Sequence, residues 1–267
     1  MGSKQHGKGG SIQRRVSGDW AFICGRWPLD QTKSTLVFIH GAGESSLLWQ
    51  AQVEGLSERA NTVALDLPGH GRSSGRSRQT IPDYASVMVE FITAIAAPNP
   101  IPCGLSMGGA ITQQLLLDHS SHFPAGIIVS SGARLKVLPE LLEMIETDMA
   151  RYADMVDRMG FSEKTEAAVR QPFLKESLKA APQVVCGDFR ACHAFDVMER
   201  LGDIQVPVLV ISAEDDLLTP TKYGDYLERH IPAAVRVHIP DAGHFAPIEK
   251  PAEVNAAIAG FLDENML

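Results

Sequence analysis

The sequence predicts one large α/β domain, a parallel sheet covered by helices on both faces. Short apolar runs of strand length alternate with helix-like segments along most of the chain. Only between Arg134 and about Gly202 does the alternation stop, giving way to helical spacing alone. Gly-rich turns follow two of the strand-like runs, where an α/β sheet places its chemistry.

Ile12–Val16 and Trp20–Gly25 flank a Ser17-Gly18-Asp19 turn and read as a hairpin. Leu36–His40, Asn61–Leu67, Gly126–Ser130, Val208–Ser212 and Arg236–Ile239 read as buried strands. Pro100 and Pro102 fall in the run before Gly104, and proline removes a ladder donor from a strand. That strand is therefore expected to be short, with Cys103 as its main buried residue. In the helical stretch, Leu138, Leu141, Leu142, Ile145, Met149, Tyr152, Val156 and Met159 recur at the spacing of one amphipathic helix. Helix-like segments follow around Glu163–Arg170, Phe173–Ala180 and Asp188–Arg200. One crossover between strands needs far fewer residues than this, so residues 134–202 are expected to form a helical cap on a core of residues 16–133 and 203–267.

With 267 residues, 45% hydrophobic and 21% charged, the composition is that of a globular protein able to bury a large core. A net charge of −8 argues against a nucleic-acid partner, which needs clustered Lys and Arg. No apolar run is long enough to span a membrane. Residues 1–15 are Gly-rich and basic and read as a flexible tail. They carry no secretory signal, and His6 stands where a myristoylation motif needs Ser or Thr. The four cysteines have neither a C-x-x-C pair nor a disulfide-framework spacing. Reduced thiols and a cytoplasmic location are expected, and nothing in the sequence fixes an oligomeric state.

Gly104-Leu105-Ser106-Met107-Gly108, followed by Gly109 and the helix-like Ala110–Asp118, is the most informative stretch. A strand turning sharply into a helix leaves a serine strained and exposed at the turn, and small residues two before and two after it avoid collisions. A serine at its ordinary pKa needs a base, and the base an orienting acid. Of the nine histidines, His244 in Asp241-Ala242-Gly243-His244-Phe245 has the best placement, after the last strand and before the final helix. His40 and His70 read as structural. His119, His122, His230 and His238 fall on element edges, and His193 lies in the cap. The strand Val208–Ser212 runs into Glu214-Asp215-Asp216, three carboxylates of which one can serve the histidine. The loop His40-Gly41-Ala42-Gly43-Glu44-Ser45 should supply a backbone donor for an oxyanion, pairing the amide of Ala42 with that of Met107. It has neither G-x-G-x-x-G spacing nor a P-loop lysine. No H-x-H or H-E-x-x-H arrangement suggests a metal.

Taken together, His40-Gly41-Ala42-Gly43, Leu65-Asp66-Leu67-Pro68-Gly69-His70-Gly71-Arg72-Ser73, Gly104–Gly109, Asp216 with Pro220 four residues later, and Gly243-His244-Phe245 resemble the α/β-hydrolase superfamily across almost the whole chain. The resemblance implies an eight-stranded, mostly parallel sheet with a helical lid and no metal or organic cofactor. It also selects Asp216 over Asp215 as the acid beside His244, with Ser106 as nucleophile. The implied reaction is hydrolysis of a small-molecule carboxylic ester through an acyl-enzyme. A lactonase of the acyl-homoserine lactone type, or a carbon–carbon bond hydrolase, are alternatives on the same triad. The latter usually carry Asn and Trp where this chain has Leu105 and Phe245. A non-catalytic small-molecule receptor is the reading from another class. The cap's Leu, Ile and Met residues, including Met144, Met149, Met155 and Met159, suggest a bounded apolar acyl pocket. Arg134, Lys136 and Arg190 read as solvated.

Overall fold

The computed structural model describes residues 12–177 and 179–267. Strands β1 (Gln13–Ser17) and β2 (Trp20–Cys24) form the hairpin, followed by β3 (Thr35–Ile39), helix α1 (Gln50–Gly55), β4 (Asn61–Leu65) and α2 (Ile81–Ala94). Next come β5 (Pro100–Leu105), α3 (Met107–Asp118) and β6 (Gly126–Val129). Four helices then intervene, α4 (Pro139–Thr147), α5 (Met149–Gly160), α6 (Ala167–Ser177) and α7 (Pro182–Ala194). The chain closes with β7 (Val208–Ala213), α8 (Lys222–His230), β8 (Ala234–Ile239), α9 (Ala246–Glu249) and α10 (Pro251–Glu264). The eight strands make one sheet in the order β1-β2-β4-β3-β5-β6-β7-β8. β2 is antiparallel to β1 and β4, and the remaining pairs are parallel.

Each central strand feeds both faces, because successive side chains point to opposite sides of a sheet. Val37 and Ile39 of β3 pack with Met88, Phe91 and Ile111 of α2 and α3, whereas Leu36 and Phe38 pack with Val53, Ile258 and Phe261 of α1 and α10. A helix layer on either face leaves the carboxyl ends of the parallel strands as the open edge. The loops after β3, β4, β5, β7 and β8 all emerge there. Among the described residues no helix is long and apolar enough to cross a membrane.

Several expectations are corrected. Gln13–Arg15, assigned to the tail on composition, belong to β1, while the tail residues 1–11 lie outside the described residues. β5 is six residues long despite Pro100 and Pro102. It pairs with β6 only at Cys103, Gly104 and Leu105, so both prolines precede that ladder and one flank of the strand there demands no donor. The single long helix predicted from Leu138 to Met159 is two. Asp148 leaves helical geometry (φ −152°, ψ 79°), and its carboxylate accepts the Arg151 amide at 3.0 Å, capping α5 and ending α4. The segments predicted around Glu163–Arg170 and Phe173–Ala180 are instead one helix, α6, which contains Pro172; Leu178 of that stretch lies outside the described residues. α7 starts at Pro182, six residues before the predicted segment, because proline suits the first helical turn.

Candidate active site

Ser106 stands between β5 and α3 with φ 56° and ψ −114°, a left-handed φ that costs a non-glycine residue energy. Its neighbours explain how the turn closes. A Cβ at Gly104 would lie 1.9 Å from the Gly108 carbonyl oxygen, and one at Gly108 would lie 2.2 Å from that of Ile39. Only glycine fits at either place. The turn is held by the Ser106 amide donating to Val129 (3.0 Å) and by Ser131 Oγ donating to the Ser106 carbonyl (2.7 Å). The Met107 amide, one residue on, opens helix α3, where the first N–H groups have no intrahelical acceptor.

His244 lies in the loop after β8, and its Nδ1–H donates to Asp216 Oδ2 at 2.9 Å, both side chains being buried. Asp216 is fixed in turn by the amides of Leu218 (2.9 Å) and Thr219 (2.8 Å) and by the Thr219 hydroxyl (2.8 Å). Burial alone would lower the pKa of His244, but the Asp216 carboxylate overrides it and the net shift is upward. Burial likewise opposes ionisation of Asp216, and His244 with the three donors brings it below the usual carboxylate value. Asp215 is turned away, accepting from Ser162 Oγ at 2.5 Å.

Ser106, His244, Ala42 and Thr219 line one cavity of about 320 Å³. Much of the wall is apolar, including Leu141, Tyr152, Met155, Val156, Leu174 and Phe245. Met155 and Met159 line it as predicted for the lid; Met144 and Met149 pack instead against the core. Lys136 reaches the cavity, whereas Arg134 and Arg190 pair with Asp196 and Glu146. A strained serine beside a helix N-terminus, and an aspartate-oriented imidazole, thus open on one apolar chamber.

The profile of the alpha/beta hydrolase family matches residues 36–257. The chain belongs to this family. It is 26% identical over 234 residues to 3-oxoadipate enol-lactonase 1 of Acinetobacter baylyi, covering 85% of this chain and 88% of that one. It is also 26% identical to the pimeloyl-[acyl-carrier protein] methyl ester esterase of Nitrosomonas europaea, over 78% of this chain and 88% of the other. The solved structure of a thermophilic esterase superposes with a TM-score of 0.82 at 29% identity, covering 96% of this chain and 99% of that one.

This hydrolase holds polar residues around the site that its sequence did not single out. Asp188 of α7 is fully buried and accepts from His70 Nε2 (2.7 Å), Tyr84 Oη (2.5 Å) and the Gly43 amide (2.8 Å). It thereby ties an inserted helix to the loop after β3. Burial would lower the pKa of His70, but Asp188 raises it overall. His40 is structural in another way. Its Nδ1 donates to Gly41 O (2.8 Å) and its Nε2 accepts from Leu67 N (3.0 Å), while burial and the charge of His70 push its pKa down to about 3. Glu249 braces the His244 loop, accepting from the Gly243 amide (3.0 Å), from Ser162 N (2.9 Å) and from Thr165 Oγ1 (2.5 Å). Glu44 lies in the cavity wall. All four cysteines are free and buried, and desolvation raises the Cys103 thiol well above its ordinary value, as suits a core residue.

Proposed function

We propose that this chain is a serine hydrolase that cleaves carboxylic esters of small to medium acyl chains through an acyl-enzyme. The observation that carries the reading is the meeting of the strained Ser106 and the His244–Asp216 pair in one apolar cavity of about 320 Å³. Ser106 Oγ attacks the ester carbonyl while His244 Nε2, the ring nitrogen not committed to Asp216, takes its proton. The amides of Ala42 and Met107 receive the developing oxyanion. His244 then protonates the leaving alcohol, and water resolves the acyl-enzyme with the same groups repeating their parts. The four helices between β6 and β7 serve as the cap that shuts this chamber. Its volume sits near the lower end of the ~300–1,000 Å³ usual for ligand sites.

Each acyl methylene gains up to ~0.8 kcal/mol of burial until the chamber is full. The test is kcat/KM for p-nitrophenyl esters from two to sixteen acyl carbons. A maximum at intermediate length is expected, and a value still climbing at sixteen carbons would reject the bounded pocket. Covalent trapping of Ser106 by an organophosphate should abolish turnover; turnover surviving full modification would reject the nucleophile. Opening of a lactone on the same triad is a second reading, favoured by the similarity to an enol-lactonase, and lactones belong in the same screen.

A further inference from the structure

Glu44 is the one carboxylate residue among those that line the cavity, and it shares the wall with Ser106 and His244. It is only 7% exposed. One oxygen, Oε2, accepts the Gly41 amide at 3.0 Å, and a Cβ at Gly41 would come within 3.0 Å of Oε1, so glycine makes the room for the carboxyl group. Among the described residues no hydrogen bond engages Oε1.

The charged and titratable groups facing Glu44 come from four elements. They are His244 after β8, His70 after β4, Asp188 on α7 and Tyr152 on α5. Both imidazoles already have a carboxylate of their own, Asp216 and Asp188. Glu44 therefore has no cation dedicated to it, and desolvation, against the pull of the Gly41 amide, pushes its pKa up to about 7. Lys136 is exposed at the cavity wall, and its Nζ donates to the His193 carbonyl at 3.0 Å.

We propose that Glu44 is a specificity-determining residue that restricts this site to uncharged esters or lactones by excluding substrates that carry a carboxylate. A second negative charge brought into an apolar chamber beside Glu44 meets repulsion that water screens poorly. The exclusion strengthens as Glu44 ionises. This rests on the hydrolase reading above.

The test compares p-nitrophenyl hexanoate with mono-p-nitrophenyl adipate, esters of equal acyl length of which the second ends in a carboxylate. The ratio of their kcat/KM values cancels the titration of His244, which serves both. In the unmodified protein the preference for the hexanoate should grow about tenfold or more between pH 6 and pH 8.5. In Glu44→Gln, which keeps an acceptor for the Gly41 amide, the ratio should be smaller and flat with pH. A flat ratio in the unmodified protein, or a ratio that Glu44→Gln leaves unchanged, overturns the proposal. So does a preference for the adipate that Lys136→Gln removes. If Glu44→Gln fails to fold, the pH dependence of the unmodified protein decides. Should neither ester be turned over in a Ser106-dependent way, the hydrolase reading fails separately. Calorimetric binding of hexanamide and adipamate at the two pH values then reads the same charge preference, and equal affinities for both overturn it.

Discussion

His244 and His70 each hold a buried aspartate, Asp216 at 2.9 Å and Asp188 at 2.7 Å, and both rings lie at the same edge of the sheet. They differ in what the rest of each ring does. His70 has both nitrogens engaged, Nε2 with Asp188 and Nδ1 with Pro68 O (3.2 Å), which leaves neither to offer a substrate. His244 commits Nδ1 to Asp216, with the Thr219 hydroxyl at 3.3 Å, and its ring borders the cavity. On the proposed function, a carboxylate–imidazole pair is a clamp or a base according to whether its second nitrogen is spent.

The largest effect expected from this contrast is on turnover. His244→Ala should cost on the order of 10⁵-fold in kcat on the best p-nitrophenyl ester, because triad members act as a unit. His70→Gln should cost far less, and equal losses in steady-state assays would erase the distinction between base and clamp. Asp216→Asn should lower kcat by up to ~10⁴-fold, since the imidazole loses its preferred tautomer. Asp215→Asn, which releases only Ser162, should stay within about tenfold on the same assay scale. If Asp215→Asn proves the worse of the two, the acid is misassigned.

Asp188→Asn should invert the pattern. Removing one partner of a buried pair costs about 3–5 kcal/mol, read as a fall in the urea midpoint, because His70 is left without its carboxylate. An unchanged midpoint would show that the clamp bears no load.

The smallest effect is a pH dependence. The folded pKa of His70 lies above its unfolded value, so the folded state binds more protons. Its contribution is complete below about pH 6.5, the unfolded histidine value, and is lost as pH rises through the folded value. Urea midpoints should show that decline in the unmodified protein, and in Asp188→Asn, where burial no longer meets the opposing carboxylate, the slope from this group should shrink or change sign. His244 is shifted the same way, so kcat/KM should show an acid limb above 6.5, where the base becomes neutral.

Which of these residues could be read in advance follows from how local their signal is. Gly104, Ser106 and Gly108 are legible because one sharp turn imposes all three demands within five residues. The Asp216–Pro220 and Gly243-His244-Phe245 runs are likewise contiguous and stand in loops the strand pattern locates. Asp188 offered no such signal. It sits inside α7, 118 residues from His70 and 145 from Gly43, and nothing around it in the chain announces a partner. Thr219 gives no signal of its own although it lies three residues from Asp216, because a threonine in a turn has many uses. The break at Asp148 is hidden in the sequence because apolar periodicity continues across it, whereas the capping carboxylate ends the helix.

The succession of strands, the serine turn and the loops that bear Asp216 and His244 follow from the sequence alone, since each depends on backbone geometry and on neighbours a few residues away. Long-range packing is what brings Asp188 across to His70, Tyr84 and Gly43, and Glu44 into the cavity with its pKa pushed up to about 7. Burial and pairing are properties of the surroundings that a side chain meets once distant segments pack, and only there does desolvation set the charge it carries.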